Sequence, residues 1–485
     1  SVHGDEIYLL PMSGKSCGGG IMQSPHPGSG CVVALQFEPP AQPRISQGEI
    51  AALSQLALDQ IIIDADNYEV CAGASITLDQ LQRALAEALG SEYKVLGADL
   101  TSYAYAAVGA TFMTGGMGPQ RRYFSDSVIE VSLFDGEIEQ CLRGEAMQGL
   151  AGSYGWSGLV TAVRCRFVKL PQNEIAFAIP VNQSAQQLAR LLQHLSPFAQ
   201  LDARSHLLLS SNGSRDLILG LEHVTRASME PMFLLGGEDR IVGRARQLLD
   251  KAVAAGADGL IFVSGYSDRS VDDFLFLLVD DAEAEDLSIA GMSLEHTEVF
   301  NDPELMRQLR EAIPYAARTQ APAASFVFKN HTDANIRLNP EKVAESMGLL
   351  WQANSDYVET VEAYLAVYDT LHGQVLVYGH LNPYGVDPHN RITFASDDAD
   401  RFKLAGDFAR EARAAYYRRL AEICQQTGSE LIGGEKGADS EHAILAAFAV
   451  TGNAPASLSE KQILQQARIR RAPELFSWRA LPSYR

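Results

Sequence analysis

Residues 9–20, Leu9-Leu-Pro-Met-Ser-Gly-Lys-Ser-Cys-Gly-Gly-Gly20, decide how the rest of the chain is read. The Gly14-Lys15-Ser16 core invites comparison with the nucleoside-triphosphate loop, G-x-x-x-x-G-K-[ST]. That motif needs a glycine five residues before Gly14, where this chain has Leu9, so its own spacing rules it out. The physics of the turn survives. An apolar strand over 7–10 runs into Ser13, Gly14, Lys15 and Ser16, with Gly18 and Gly19 just beyond. Closely spaced backbone N–H groups, hydroxyls and one cation can there wrap an anion, because glycine lets the backbone approach. The plain alternative is an ordinary glycine-rich loop, and the rest of the chain has to choose.

Composition sets the outer bounds. The chain has 485 residues, which suits two or three domains. Its 46% hydrophobic content and near-zero mean hydropathy describe a globular protein. A formal charge of −21 argues against nucleic acid or an anionic membrane as the main partner, yet allows a local basic pocket for an anionic substrate. The six cysteines (Cys17, Cys31, Cys71, Cys141, Cys165, Cys424) show no C-x-x-C pair and no metal-cluster spacing. They read as scattered reduced thiols of a cytosolic-type compartment. Residues 1–6 lack the positive region of a signal peptide, and no apolar run is long enough to span a bilayer. A cytoplasmic location is therefore expected. Peripheral contact at the inner face of a membrane is the alternative, through Arg468, Arg470, Arg471, Arg479 and Arg485.

Periodicity divides the chain into two styles. Up to Pro171, short strands alternate with glycine-rich turns: strands are expected over 68–74, 128–133 and 163–168, with Asp135-Gly136 at a turn. Thr77-Leu-Asp-Gln80 is a capping box opening a helix whose Leu78, Leu81, Leu85 and Leu89 share a face. From about Glu174, strands alternate with amphipathic helices. Ser184 can cap one carrying Leu188, Leu191, Leu192 and Leu195, and another over 239–255 ends at Gly256. Strands are expected over 260–263, 274–279 and 375–379, and a linker or lid over 314–324. A long helix over 398–427, capped by acidic Asp397 and Asp398 and closed by Gly428, buries Phe402, Ala409, Ala412, Tyr416, Leu420 and Ile423.

Four glycine-rich segments fall in one order within the first part. After Ser13–Gly20 come Asp99-Leu-Thr101-Ser102, then Val108-Gly109-Ala110-Thr111 leading to Gly115-Gly116-Met117-Gly118. Last comes Gly152-Ser-Tyr-Gly155-Trp-Ser-Gly158-Leu-Val160-Thr161. Together with "VCAGASITLDQLQRAL", these segments resemble the FAD contacts of the vanillyl-alcohol oxidase type flavoproteins, over roughly residues 5–171. The resemblance implies an α+β chain: a two-part FAD-binding domain over 1–173, a cap domain with a large antiparallel sheet over 174–427, and a segment over 428–485 returning to the FAD domain. Two departures accompany it. The given sequence has almost nothing where a strand–helix–strand unit normally precedes the pyrophosphate loop, so that unit is expected to be removed, supplied elsewhere or absent from a short domain, and Ala110 stands where many relatives have a second glycine.

The second half resembles, more loosely, the branch that oxidises D-2-hydroxy acids such as D-lactate, D-2-hydroxyglutarate and glycolate. "YGHLNPYGVDPHNR" and "GADSEH" stand in for that branch's G-H-x-G-D-G-N-x-x-H and E-H-G elements, with the D-G-N core missing and Ala443 replacing a glycine. His380, His389 and His442 become candidates for the base or for ligands, and Arg391 for a two-pronged carboxylate clamp. His380, His389 and Glu441 are the candidate ligands of a divalent metal, zinc or manganese, beside FAD. His331 and Arg337 of "FKNHTDANIRL" lie in a segment where relatives contact substrate; solvated strand positions are the competing reading. The resulting expectation is an FAD dehydrogenase of a small anionic 2-hydroxy acid that passes electrons to a quinone or redox protein, alone, as a homodimer or as a redox-complex subunit. An alcohol, phenol or sugar oxidase and a non-catalytic subunit are the alternatives.

Overall fold

A computed structural model describes residues 7–12, 31–36, 38–50, 52–100, 103–116, 118, 123–134, 138–147, 150–151, 158–181, 185–199, 201–204, 207–229, 239–284, 297–319, 325–368, 372–382 and 385–433. The chain opens with β1 (Ile7–Met12) and β2 (Cys31–Gln36), which pair in parallel, Ile7 opposite Cys31. Next come β3 (Arg44–Gln47), β4 (Gln60–Asp64), β5 (Glu69–Gly73), α1 (Leu78–Leu89), β6 (Tyr93–Lys94) and α2 (Val108–Thr114). Then follow β7 (Val128–Phe134), β8 (Glu139–Arg143), β9 (Leu159–Arg166) and β10 (Val168–Lys169). Six of these strands form one sheet in the order β3-β4-β5-β9-β7-β8. The Thr77 capping box is present as expected, and Leu78, Leu81 and Leu85 pack α1 onto Ile61, Val70 and Val163 of that sheet.

The second part begins with β11 (Asn173–Val181), α3 (Ala185–Ala199), β12 (Leu201–Arg204), β13 (Leu207–Ser210), β14 (Leu217–Thr225) and α4 (Arg226–Met229). It continues through α5 (Asp239–Ala254), β15 (Gly259–Ser267), α6 (Val271–Ala284), β16 (Glu298–Val299), α7 (Pro303–Thr319), β17 (Phe326–Asp333), β18 (Asn335–Arg337) and α8 (Val343–Ala366). It closes with β19 (His372–Asn382), β20 (Gly385–Ser396), α9 (Ala399–Thr427) and β21 (Glu430–Gly433). A nine-stranded sheet runs β16-β11-β15-β14-β19-β20-β18-β21, with β17 also on β20.

The period of two along each strand sorts this sheet's two faces. Ile175, Phe177, Ile261 and Val263 point into the core shared with α3, α6, α8 and α9. Ala176, Ala178, Leu260 and Phe262 face the smaller core beneath α5 and α7. The two parts of the chain meet through the β12-β13-β10-β6 sheet, where Leu96, Val168 and Leu170 pack on Leu208, Leu217 and Leu219.

Helix ends fall where the cap chemistry puts them. Asp398 Oδ1 accepts the N–H groups of Asp400 and Arg401 at 3.0 and 3.1 Å, while Gly428 closes α9 at φ +71° and Gly256 follows α5 at φ +66°. Ser184 lies outside the described residues.

Two expectations are corrected. Residues 274–279, expected as a strand, belong to helix α6. Ser270 Oγ accepts the Asp273 N–H at 3.1 Å as an N-cap, Asp272 and Asp273 favour the first turn, and the run buries Phe274, Leu275 and Leu278 while leaving Phe276 exposed. Residues 314–319 of the expected linker continue α7, with Pro314 inside the helix; residues 320–324 lie outside the described part. The glycine segment at Val108 is helical: α2 ends at Gly115 in the left-handed conformation, φ +66°. Strand β8 has no counterpart in the sequence reading, because its charged, exposed pattern carries no apolar alternation.

Candidate functional site

Two patches hold the chemistry-bearing residues. The first lies where β5, β9 and α2 meet. Backbone crowding there explains the glycines: a Cβ on Gly109 would stand 2.7 Å from Ala74 Cβ, one on Gly116 3.0 Å from Leu100 Cδ1, and one on Gly118 2.9 Å from Asp99 O and Oδ1. The Ala74 N–H donates to Thr161 O at 2.9 Å, the Gly109 N–H to Ala74 O at 3.3 Å, and the Val108 N–H to Ile76 O at 2.8 Å. Separate stretches of chain therefore converge, with Asp99, Gly109, Gly115, Gly116, Gly118 and Thr161 at or beside the junction. Gly158 and Val160 stand just upstream of Thr161 where β9 opens. The Thr161 hydroxyl is engaged away from this junction, 2.5 Å from Glu139 Oε1, so what it offers the junction is its backbone. Ser13, Gly14, Lys15, Ser16, Gly18, Gly19, Thr101, Ser102, Gly152 and Gly155 lie outside the described residues.

The second patch is on the nine-stranded sheet. Antiparallel pairing sets His380 directly opposite Asp387, and Tyr378 opposite His389. His380, Asp387 and His389 are buried, at 4%, 0% and 0% exposure. The imidazole rings of His380 and His389 meet edge to face, 5.0 Å between centroids. Asp387 Oδ1 accepts the Ala334 N–H at 3.1 Å, and its other oxygen lies 3.8 Å from His389 Nε2. On the other edge of β19, Glu222 of β14 is opposite His380 and forms a buried ion pair with Arg310 of α7. Neither Glu222 nor Arg310 was singled out in the sequence, and Asp387 was quoted only as part of a motif. The signal for Asp387 was the polar residue two before His389, the same-face spacing of a strand.

Other candidates fall elsewhere. The backbone register places Arg391 opposite His331. Arg337 is exposed, stands opposite Gly385 of β20 and pairs with Glu430 of the edge strand β21 at 3.1 Å. Glu441, His442 and the arginine-rich tail lie outside the described residues. Among the described residues no group of three or more His, Cys, Asp or Glu could hold a metal ion. Nor is any helix there long and apolar enough to cross a membrane.

Between the sheet and α8 lies a cavity of about 10 Å³, lined among others by His223, Trp351, Asn354, Gly379 and His380. That is room for about one water. His223 sits edge-on to Trp351, 4.9 Å between ring centroids, and its Nε2 is buried with no hydrogen-bond partner. Burial pushes its pKa from 6.5 down to about 4. Below pH 6.5 the unfolded chain takes up a proton that the folded imidazole refuses. His223 thus costs nothing above about pH 6.5 and destabilises the fold progressively as pH falls toward 4, by about 3 kcal/mol at the end. His223→Gln is expected to flatten this acid limb, read as the urea midpoint between pH 4 and 7.

This architecture is the vanillyl-alcohol oxidase type FAD-binding fold: a glycine-crowded first part and a second part built on one large antiparallel sheet. The solved structures that share it include p-cresol methylhydroxylase with substrate bound, at TM-score 0.59 and 12% identity over 96% of this chain and 82% of that one. An alkyldihydroxyacetonephosphate synthase matches at 0.57 and 12% identity over 96% and 71%. The 4-ethylphenol oxidase from Gulosibacter chungangensis matches at 0.56 and 11% identity over 97% and 83%. No family model and no curated sequence matches the chain.

Proposed function

We propose that the protein is an FAD-dependent oxidoreductase that converts a small 2-hydroxy acid to the 2-oxo acid. One observation carries the substrate side: a buried His380–Asp387–His389 row on adjoining strands, with Asp387 held by a backbone N–H and facing His389. Removing a hydroxyl proton needs a positioned base, and an imidazole oriented by a carboxylate supplies one. His380 is assigned that role, with Asp387 directly opposite it on β20 and the His389 ring edge to face beside it. For the cofactor side, the absence of side chains at Gly109, Gly116 and Gly118 lets the Ala74, Asp99 and Val108 segments close up at one junction, the convergence of separate turns that a diphosphate-linked dinucleotide needs. Asp99, Gly109, Gly115, Gly116, Gly118 and the turn at Ala74 would hold FAD. When bound, FAD supplies the hydride acceptor. Arg391 is kept as the carboxylate clamp, and a quinone or redox protein as the onward acceptor.

The 4-ethylphenol oxidase and p-cresol methylhydroxylase that share the fold favour a second reading, a phenol or alcohol oxidase. Anaerobic mixing of FAD-loaded protein separates the two. Bleaching of the flavin bands by D-lactate or D-2-hydroxyglutarate is expected. Bleaching by alkylphenols alone would transfer the assignment to the second reading, and a protein that takes up no FAD would sink both.

A further inference from the structure

The two parts of the chain touch through more than the apolar seam of Leu96, Val168 and Leu170 on Leu208, Leu217 and Leu219. Helix α7 adds a charged contact. Its Arg307 guanidinium lies over the Tyr103 ring, 4.3 Å from the centroid. Both ends of this contact are anchored. On the α7 side, Leu305, Met306 and Leu309 share a core with Ala176, Ala178 and Phe262 of the large sheet. One turn further on, Arg310 forms the buried pair with Glu222. Arg307 Nε also donates to Glu304 Oε2 at 2.7 Å, within the same helix. On the other side, the Tyr103 N–H donates to Leu100 O at 2.9 Å, and Tyr103 O accepts the Asp79 N–H from the first turn of α1 at 3.3 Å. Gly116 closes against Leu100, and Gly118 against Asp99. A side chain fixed to the large sheet thus grips the residue that ties the Asp99–Leu100 stretch to α1.

We propose that Arg307 is a positioning residue for the cofactor junction: by holding Tyr103 it keeps the Asp99–Leu100 stretch in the conformation that receives FAD. This rests on the reading given above, in which Asp99 and the nearby glycines hold that cofactor. A segment that must be ordered as the ligand arrives subtracts its ordering from the affinity, whereas one held beforehand does not. Binding free energies are reciprocal, so FAD uptake in turn tightens the seating of α7 on Tyr103. The size of the contact bounds the effect. The Arg307 side chain is 31% exposed, and a cation over a ring at such a site is worth about two- to fivefold in an equilibrium constant. Its pair with Glu304 is half-exposed and contributes little to folding. The contact therefore matters more for the junction than for global stability.

The test titrates FAD into the full-length chain freed of cofactor and reads the dissociation constant from the change in flavin fluorescence. Arg307→Ala and Tyr103→Leu are each expected to weaken FAD binding about two- to fivefold, with the melting temperature of the FAD-free protein within about 2 °C of the wild type for Arg307→Ala. Arg307→Lys keeps a cation over the ring and Tyr103→Phe keeps the ring, so both should bind more nearly as the wild type does. The losses of Arg307→Ala and Tyr103→Leu should not add in the double variant. Hydrogen exchange supplies a readout without cofactor: Arg307→Ala should speed exchange of the Tyr103 and Asp79 amides. Should Tyr103→Leu not fold, Arg307→Ala against Arg307→Lys decides the matter. FAD affinity of Arg307→Ala within about 1.5-fold of the wild type would overturn the proposal, whatever the exchange rates, and so would additive losses in the double variant. A wild-type chain that takes up no FAD fails the oxidoreductase reading and this inference with it. Wild-type uptake matched by Arg307→Ala fails this inference alone.

Discussion

His380→Asn is expected to lower kcat for oxidation of the 2-hydroxy acid by about 10²- to 10⁴-fold, the usual worth of a positioned general base. The FAD absorbance should be retained, because His380 sits on the nine-stranded sheet while the glycine junction lies in the six-stranded part. Asparagine keeps a polar group in a position only 4% exposed, so the loss reflects missing proton transfer rather than a cavity. KM should change little, since the base acts mainly in the transition state. Stopped-flow reduction under anaerobic conditions separates the two constants. A variant that reduces its flavin within twofold of the wild-type rate would remove His380 from the chemistry.

Arg310→Met should cause the largest loss of stability. It strands the Glu222 carboxylate, 5% exposed, in the core beneath α7, which costs about 3–5 kcal/mol when one member of a buried pair is deleted. The double variant Glu222→Leu/Arg310→Met removes both charges and is expected to recover most of that loss. Apolar replacements of buried ion pairs are often neutral or stabilising. The urea midpoint at unchanged m-value is the measurement. Equal losses in the single and double variants would show that the two charges are not coupled.

Much of the architecture was legible along the chain. The Thr77 capping box, Asp398 with Gly428, and Gly256 after α5 are local instructions written in adjacent residues, and each element formed where they stand. The alternation from Glu174 onward marked a second part with an antiparallel sheet, which is present. The run 274–279 misled because six apolar residues satisfy a buried strand and a buried helix turn equally. Only Ser270, just outside the run, carried the deciding cap. In the candidate site, His380 and His389 were visible as motif residues, whereas Glu222 and Arg310 looked like ordinary charges of a strand and a helix.

What the amino-acid order determined by itself was the local vocabulary: which stretches turn, which coil, and where small residues let backbones close up. Those outcomes depend on φ, ψ and on partners a few residues away. The company each imidazole keeps was settled only in three dimensions. Strand register put an acid from β14 and another from β20 on either side of His380, and helix packing brought a guanidinium to one of them. A one-residue slip would have turned His380 to the other face and carried Leu381, Ile392 and Phe394 out of the core, so burial of the apolar face, not any neighbouring residue, holds the register.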